Sequence, residues 1–306
     1  MEVIRDKEYD FTEGVVVTFG KFDGIHRGHK RLIDTARQIA DEKGLEVVVF
    51  TLLLDAGSKW KKETLSLTTS YERAQICKEY GVDKVVEYSL DESTSNLKPM
   101  QFLEKVVKDY LHASYVVVGK DWHFGKGAAG DVTTLKACQK LYNYTAVIIP
   151  KELEGGREIS STWVRSEVAA GNMENANILL GHPYRISGMI EHGRALGRQM
   201  DYPTINLIPD TTKLMPPYGV YASKVYIEDE QYYGVTNIGI KPTVTDEGRL
   251  TVETNVFDFD EDVYDKMAIV ELCSFERPEM KFDNIEALKR QLSVDADFAK
   301  NYFLIS

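Results

Sequence analysis

Cysteine is scarce in this 306-residue sequence: Cys77, Cys138 and Cys273 are all there is, far apart and without a CxxC pair. That excludes a disulfide framework and a cysteine-built zinc site, and it fits a reducing compartment. No stretch approaches ~18 consecutive apolar residues, so no membrane-spanning helix is expected. The opening MEVIRDKEYD is charged and has no apolar h-region, so no secretory signal is expected and the expected location is the cytoplasm. Positive charge is also in deficit, with 37 Lys and Arg against 48 Asp and Glu, a net −11. A nucleic-acid partner, whose phosphate backbone calls for a basic face, is therefore not expected. The deficit is uneven: residues 1–180 carry 24 basic against 27 acidic side chains, residues 181–306 carry 13 against 21. A local cationic site for a small phosphate remains open in the first part. There is no internal repeat, no low-complexity tract and no obligate protein partner in view. The Walker A pattern GxxxxGK[ST] is missing as well, so any kinase chemistry here is not of the P-loop type.

What is present is a regular alternation of elements. "GVVVTFG" (14–20) is a β-branched apolar run bounded by glycines and predicts a buried strand. Leu32, Ile33, Ala36, Ile39 and Ala40 follow at helical spacing up to Gly44, which predicts a helix over 28–43 with a glycine C-cap. Strands at 46–52, 83–88, 114–118 and 144–149 and helices at 70–80, 99–111 and 132–142 continue the pattern. Strand–helix–strand at this rhythm predicts an α/β domain, a doubly wound parallel sheet covered on both faces. From residue 184 the grammar changes to short alternating segments, "YRISGMIEHG", "GVYASKVYIED", "QYYGVTNIGIK", "LTVETNVFDFD" and "KMAIVELCSFE". These predict a small antiparallel barrel or sandwich. A closing helix then places Ile285, Leu288 and Leu292 on one packing face. The domains are expected at 1–181 and 182–306.

The chemistry of the first domain centres on "FGKFDGIHRGHK" (19–30), where the first strand hands over to its helix. Ligands of open α/β sheets bind at the carboxyl ends of strands, and a helix N-terminus offers unpaired N–H groups to an anion. Gly24 and Gly28 keep side chains away from that backbone, and His26 and His29 can donate ring N–H groups to phosphate oxygens. A metal held by the two histidines would need further ligands, for which His112, His123, His182 and His192 offer no matching set. A plain glycine turn is the third reading. "ISSTWVR" (159–165) presents Ser160, Ser161 and Thr162 before Arg165, a grouping that suits phosphate binding as well as helix capping. "GKGAAG" (125–130) satisfies GxGxxG, but "KDWHF" separates it from the preceding strand, whereas the dinucleotide fingerprint follows its strand directly. In "GKDWHFG" (119–125), Trp122 and Phe124 beside Asp121 are either core or a platform for a flat ring.

In the second domain "LGRQMDYPTINL" (196–207) sets Thr204 and Asn206 on one side of an extended chain, two neutral oxygens that suit Mg²⁺ shared with ATP phosphates, or an ordinary polar strand face. The alternation of "LTVETNVFDFD" puts Glu253, Asn255, Phe257 and Phe259 on one face. A carboxylate among aromatics is a candidate general base for phosphoryl transfer to an alcohol; a solvated edge-strand glutamate is the plainer reading.

HxGH in this setting resembles the nucleotidyltransferase superfamily. GxFDGxHxGH at 20–29, GxDxxFG at 119–125, SSTxxR at 160–165, LGxPY at 180–184, PTxN at 203–206 and "VETNVFDFDEDVY" at 252–264 together resemble the prokaryotic bifunctional riboflavin kinase/FMN adenylyltransferase family, over nearly the whole chain and in the family's order. The resemblance implies a Rossmann-like nucleotidyltransferase domain that moves AMP from ATP to FMN, giving FAD and pyrophosphate. It implies a second, barrel domain that phosphorylates riboflavin with ATP and Mg²⁺. On the matching positions it implies ATP contacts by Gly20, Phe22, Asp23, Gly24, His26, Gly28, His29, Ser160, Ser161, Thr162 and Arg165, and flavin contacts by Asp121, Trp122 and Phe124. In the kinase it implies ATP at Gly193, Thr204 and Asn206, Mg²⁺ at Thr204 and Asn206, and Glu253 as base, with His29 the other catalytic candidate. The implied partners are small molecules, namely ATP, riboflavin and FMN. Lys21 stands where the family usually has Asn, and "FTLLLDAGSKW" (50–60) replaces a D-P-H-P-like turn. The alternative is accordingly a riboflavin kinase whose N-terminal domain only binds flavin or nucleotide.

Overall fold

The computed structural model describes residues 1–5, 9–53, 65–191, 204–228, 230–241 and 249–305. By packing, the chain forms two compact units, Met1–Thr64 with Arg73–Ser160, and Leu65–Glu72 with Ser161–Ser306. Among the described residues no helix is long and apolar enough to cross a membrane.

Among the described residues the main sheet of the first unit has six strands: β1 (Glu2–Ile4), β2 (Val15–Phe19), β3 (Glu46–Leu53), β4 (Lys84–Ser89), β5 (Ala113–Gly119) and β6 (Thr145–Ile149). They lie in the order β1-β4-β3-β2-β5-β6, with every pairing parallel. The helices are α1 (Arg27–Lys43), α2 (Ser70–Glu79), α3 (Glu92–Ser95), α4 (Pro99–Phe102, running on into π-helical Leu103–Tyr110) and α5 (Val132–Tyr142). All five residues of β2 are buried, because apolar clusters cover both faces of the sheet. Val15, Val17 and Phe19 join Phe50, Phe102 and Leu103 on one side; Val16 joins Ile33, Ala36, Val47 and Ile76 on the other. This is the doubly wound sheet expected from the alternation, and the expected elements begin and end within one residue of their predicted limits. β1, α3 and a two-stranded hairpin, β7 (Leu153–Glu154) with β8 (Arg157–Glu158), were not expected; each is too short to show a period.

In the second unit β9 (Tyr184–Glu191), β10 (Thr204–Leu207), β11 (Gly219–Ile227), β12 (Glu230–Lys241), β13 (Arg249–Val256) and β14 (Met267–Pro278) close into an antiparallel barrel in the order β10-β13-β12-β11-β14-β9. Of barrel and sandwich, the barrel is what forms. Three helices belong to this unit: α6 (Ser161–Ala170), α7 (Met173–Leu180) and α8 (Ile285–Phe303). The change of grammar at 181/182 follows α7, whose C-cap Gly181 is left-handed at φ 80°. The packing division falls earlier, at 160/161, because α7 is bonded to the barrel: Asn177 Nδ2 donates to the Leu272 carbonyl at 2.9 Å, and Asn177 Oδ1 accepts from Tyr184 N–H at 2.8 Å. Residues 65–72 are also built into this unit. Buried Lys213 donates to Glu72 Oε2 and to the Leu67 carbonyl, both at 2.6 Å, while Glu72 Oε1 accepts from the Ser187 N–H at 2.8 Å.

The helix α8 uses the expected face, on which Leu288 and Leu292 are partly buried, but not from its first residue. Ile285 is 63% exposed, and the fully buried contact with the barrel comes further along the same face, where Ala299 packs against Val220, Ala222 and Val235. Asp295, charged and buried, sits on the same helix and takes Arg277 Nε at 2.9 Å. An ion pair at a core position is invisible to a search for apolar spacing.

Candidate active sites

In the sheet order, the chain crosses from one side of β2 to the other between β2 and β5, and such a switch point opens a crevice at the carboxyl ends of the two strands. The stretches singled out in the first domain sit at those ends: Gly20–His29 after β2, and Gly119–Gly125 after β5. After β2 the backbone coils tightly. Phe22 and Ile25 are left-handed at φ 47° and 42°, an uncommon state for bulky side chains, with Gly24 at φ 88° between them. Full burial of Phe22 and Ile25 holds them there. The carbonyl of Lys21 is fixed as well, accepting from Thr51 Oγ1 at 3.1 Å and Arg73 Nη1 at 3.4 Å. Residues 54–60 of the altered loop lie outside the described residues.

His26 is the N-cap of α1. Its Nδ1 accepts the N–H of His29 at 3.4 Å, so the ring's proton is on Nε2. The His29 ring stacks on it, centroids 3.8 Å apart and 17° between planes. His29 Nδ1 is enclosed with no hydrogen-bond partner among the described residues, which leaves Nε2 as the nitrogen able to meet a ligand. Burial lowers His26 to about 4, and burial together with His26 pushes His29 well below the usual imidazole range. The pair is therefore neutral near pH 7, two N–H donors at a helix tip. Gly28 makes room for this: a Cβ there would stand 3.1 Å from His26 Cε1 and Nδ1. Asp23 is partly buried in the same turn.

Past β5, Trp122 stacks between Phe19 and Phe124, with centroids 5.2 and 4.6 Å away. Phe124 is core, whereas Trp122 is only partly buried. Asp121 is exposed and pairs with Lys151 at 2.8 Å, a contact that lowers its pKa against the opposing effect of burial. Two of the three GxGxxG glycines are packing glycines, while Gly127 borders open space at φ 65°. A Cβ on Gly125 would come within 2.9 Å of Pro99, and one on Gly130 within 2.8 Å of the Phe124 ring. Ser160 ends the first unit, while Ser161, the first residue of α6, Thr162 and Arg165 belong to the second, where Arg165 Nη1 donates to the Leu65 carbonyl.

On the barrel, the two strand registers assemble a polar row. Asn206 on β10 stands opposite Glu253 on β13, Glu253 stands opposite Asn237 on β12, and Glu191 on β9 stands opposite Asn206. Thr204 Oγ1 donates to Glu253 Oε1 at 3.0 Å. The row lies on the outer face, the side to which Val220, Ala222 and Val235 turn beneath α8. Ser223, Thr236 and Thr254 alternate with it and point into the barrel, their hydroxyls linked at 2.6 and 2.8 Å. Thr204, Asn206 and Glu253 are thus brought together, although β13 ends at Val256. Glu253's face continues past the end of β13 to Phe257, which joins the cluster beneath α8, but not to Phe259, which meets Tyr232 edge-on at 4.9 Å. Asn237 and Glu191 escaped the sequence reading, since alternation marks them as outward-facing but only register sets them beside Glu253. Gly193 lies outside the described residues.

Residues 8–163 match the family model described as FAD synthetase, and residues 180–303 match the one described as riboflavin kinase. A bifunctional riboflavin kinase/FMN adenylyltransferase from Bacillus subtilis is 34% identical, covering 94% of this chain and 92% of that protein. The chain belongs to the bifunctional riboflavin kinase/FMN adenylyltransferase family. The family's proteins of the same name from Listeria monocytogenes and Escherichia coli strain K12 are 33% and 34% identical, covering 94% and 95% of this chain and 92% and 93% of their own lengths. A solved Streptococcus pneumoniae structure, described as a macrolide-efflux protein, has the same fold: TM-score 0.85, 29% identity, 98% of this chain and 99% of that one covered. Both transferase modules of the family are present here, in the order that the resemblance implied.

Proposed function

We propose that the family's two activities are divided between 1–181 and 182–306, with the histidine-bearing turn transferring AMP to FMN and the polar row of the barrel phosphorylating riboflavin. The single observation that supports this most is the Thr204–Glu253 hydrogen bond beside Asn206, a carboxylate gathered with two neutral oxygens on one barrel face. In the barrel, Glu253 takes the proton of the riboflavin chain's terminal hydroxyl as that oxygen attacks the γ-phosphorus of ATP and ADP leaves. Thr204 and Asn206 suit a Mg²⁺ that takes its other ligands from phosphate and water, since both supply uncharged oxygens close to a carboxylate. When bound, the ion neutralises charge on the phosphates. Gly193 would complete the nucleotide contacts.

In the first domain no covalent enzyme intermediate is needed. A phosphate oxygen of FMN attacks the α-phosphorus of ATP and pyrophosphate departs, so positioning and charge stabilisation suffice. Gly20, Phe22, Asp23, Gly24 and Gly28 shape a backbone cradle, His26 and His29 donate from neutral rings, and Ser160 adds a phosphate contact. Trp122, partly buried, and Phe124 line the flavin's place, with Asp121 at the rim. The substrates are small molecules, and three free, buried cysteines accord with a reducing cytoplasm.

The test is to incubate the protein with riboflavin, ATP and Mg²⁺ and separate the flavins by chromatography. FMN and then FAD are expected; FMN alone would remove the adenylyltransferase half. Glu253→Gln is expected to stop FMN formation and spare FMN-to-FAD conversion, and His29→Ala to do the reverse. Equal loss of both steps in either variant would refute separate sites.

A further inference from the structure

Glu253 has two flanks, and they differ. On the β10 flank Thr204 holds Oε1 and Asn206 is buried. On the β12 flank stands Asn237, half-buried, directly opposite Glu253, its carboxamide making no side-chain hydrogen bond to any described residue. Residues opposed across antiparallel strands have Cβ atoms about 5 Å apart, within reach of one bound molecule. Two residues along β12, on the same face, Gly239 has no side chain, and the space is taken by the Glu279 carboxylate: a Cβ on Gly239 would lie 1.9 Å from Glu279 Oε1. The β12 flank therefore shows an unused amide between two carboxylates.

Charge decides what such a flank accepts. Glu253 and Glu279 repel a triphosphate there, whereas a neutral polyol, each hydroxyl both donor and acceptor, matches an amide and two carboxylates. Glu191, at the far end of the row, adds less repulsion on the nucleotide's flank because Arg249 pairs with both of its oxygens at 3.1 Å. We infer that Asn237 is a substrate-contacting residue of the kinase site, hydrogen-bonding the hydroxyl-bearing chain of riboflavin and aiming its terminal hydroxyl at Glu253. The inference rests on the reading of Glu253 as the base.

The experiment uses the full chain and compares two acceptors, riboflavin and a flavin whose polyol is replaced by a hydroxyalkyl chain of equal length keeping only the terminal hydroxyl. In Asn237→Ala, KM for riboflavin is expected to rise about tenfold, the scale of one lost hydrogen bond, with KM for ATP and FMN-to-FAD conversion unchanged. The unsubstituted protein's preference for riboflavin over the hydroxyalkyl flavin is expected to shrink by the same factor, a coupling that a purely structural role would not produce. An unaltered preference, or equal rises in both KM values, overturns the inference. Asn237→Thr, which suits a strand, carries the same readout if the alanine variant folds poorly. Glu253→Gln separates the two ideas: if it still makes FMN, the base assignment fails whatever Asn237 does, and if it is inactive while Asn237→Ala keeps its preference, the inference about Asn237 fails alone.

Discussion

The imidazoles of His26 and His29 lie face to face at 3.8 Å, and the first caps the helix that carries the second. Protonating one charges a buried ring against its neighbour and, at His26, puts a proton on the nitrogen that accepts the cap bond. The unfolded chain has no such penalty and takes up its proton near pH 6.5, whereas folded His26 waits until about 4. Between those values the unfolded state binds more protons, so stability falls as pH falls through that window. His26→Asn keeps a capping oxygen and removes the titration. Urea unfolding between pH 7 and 4 is expected to show a shallower loss in this variant; parallel curves would contradict the account.

Gly28→Ala separates function from stability. Alanine is the better helix former by about 1 kcal/mol, yet its Cβ would press on the His26 ring at 3.1 Å. Thermal stability is expected to hold or rise while FMN-to-FAD conversion drops about tenfold through the displaced ring. Riboflavin phosphorylation by the same chain is the internal control.

Thr204→Val keeps the shape of the side chain and deletes the donor to Glu253 Oε1. Riboflavin phosphorylation is expected to fall by about 10² or more, at the low end of what a positioned base supplies, with FAD formation from added FMN unaffected. Steady-state rates of the two half-reactions check it.

Lys213→Met leaves Glu72 as a charge sealed in the second unit with its cation gone. Breaking a buried pair from one side costs about 3–5 kcal/mol, and the lost contact of Lys213 Nζ with the Tyr184 ring, 4.2 Å away, adds to it. Denaturant melts should show this loss, and Glu72→Gln combined with Lys213→Met should lose less than Lys213→Met alone.

Glu276 titrates in the opposite sense to His26. Burial, and then Asp295, push its carboxyl up to about 7 against the pull of Arg277, and its Oε2 has no partner among the described residues. The folded state here binds the extra proton, so this contribution is lost as pH rises from about 4.5 through 7. Glu276→Gln is expected to raise the melting temperature at pH 8 and change little at pH 5.

Much of the first unit was legible because its strands are buried on both faces, so that runs such as Val15–Val17 read as continuous apolar stretches, and because Gly44 and the HxGH turn punctuate a helix at each end. The barrel was legible as short alternating strands, but not as a barrel, since alternation is the same in a sandwich. On α8 apolar spacing points to Ile285, which is exposed, and passes over buried Asp295, because whether a charge can be buried depends on a partner, here Arg277, that the helix's own pattern does not contain.

By itself the sequence determined the longer strands and helices, the family, and the residue types able to hold phosphate or take a proton, since these depend on local order and period. Only the tertiary structure decided that Thr204, Asn206, Glu253 and Asn237 share one patch, that Glu72 closes on Lys213, and that the two histidine rings stack. Those outcomes rest on strand register and on the closing of distant segments upon one another, and neither is written in the spacing of residues along a single segment.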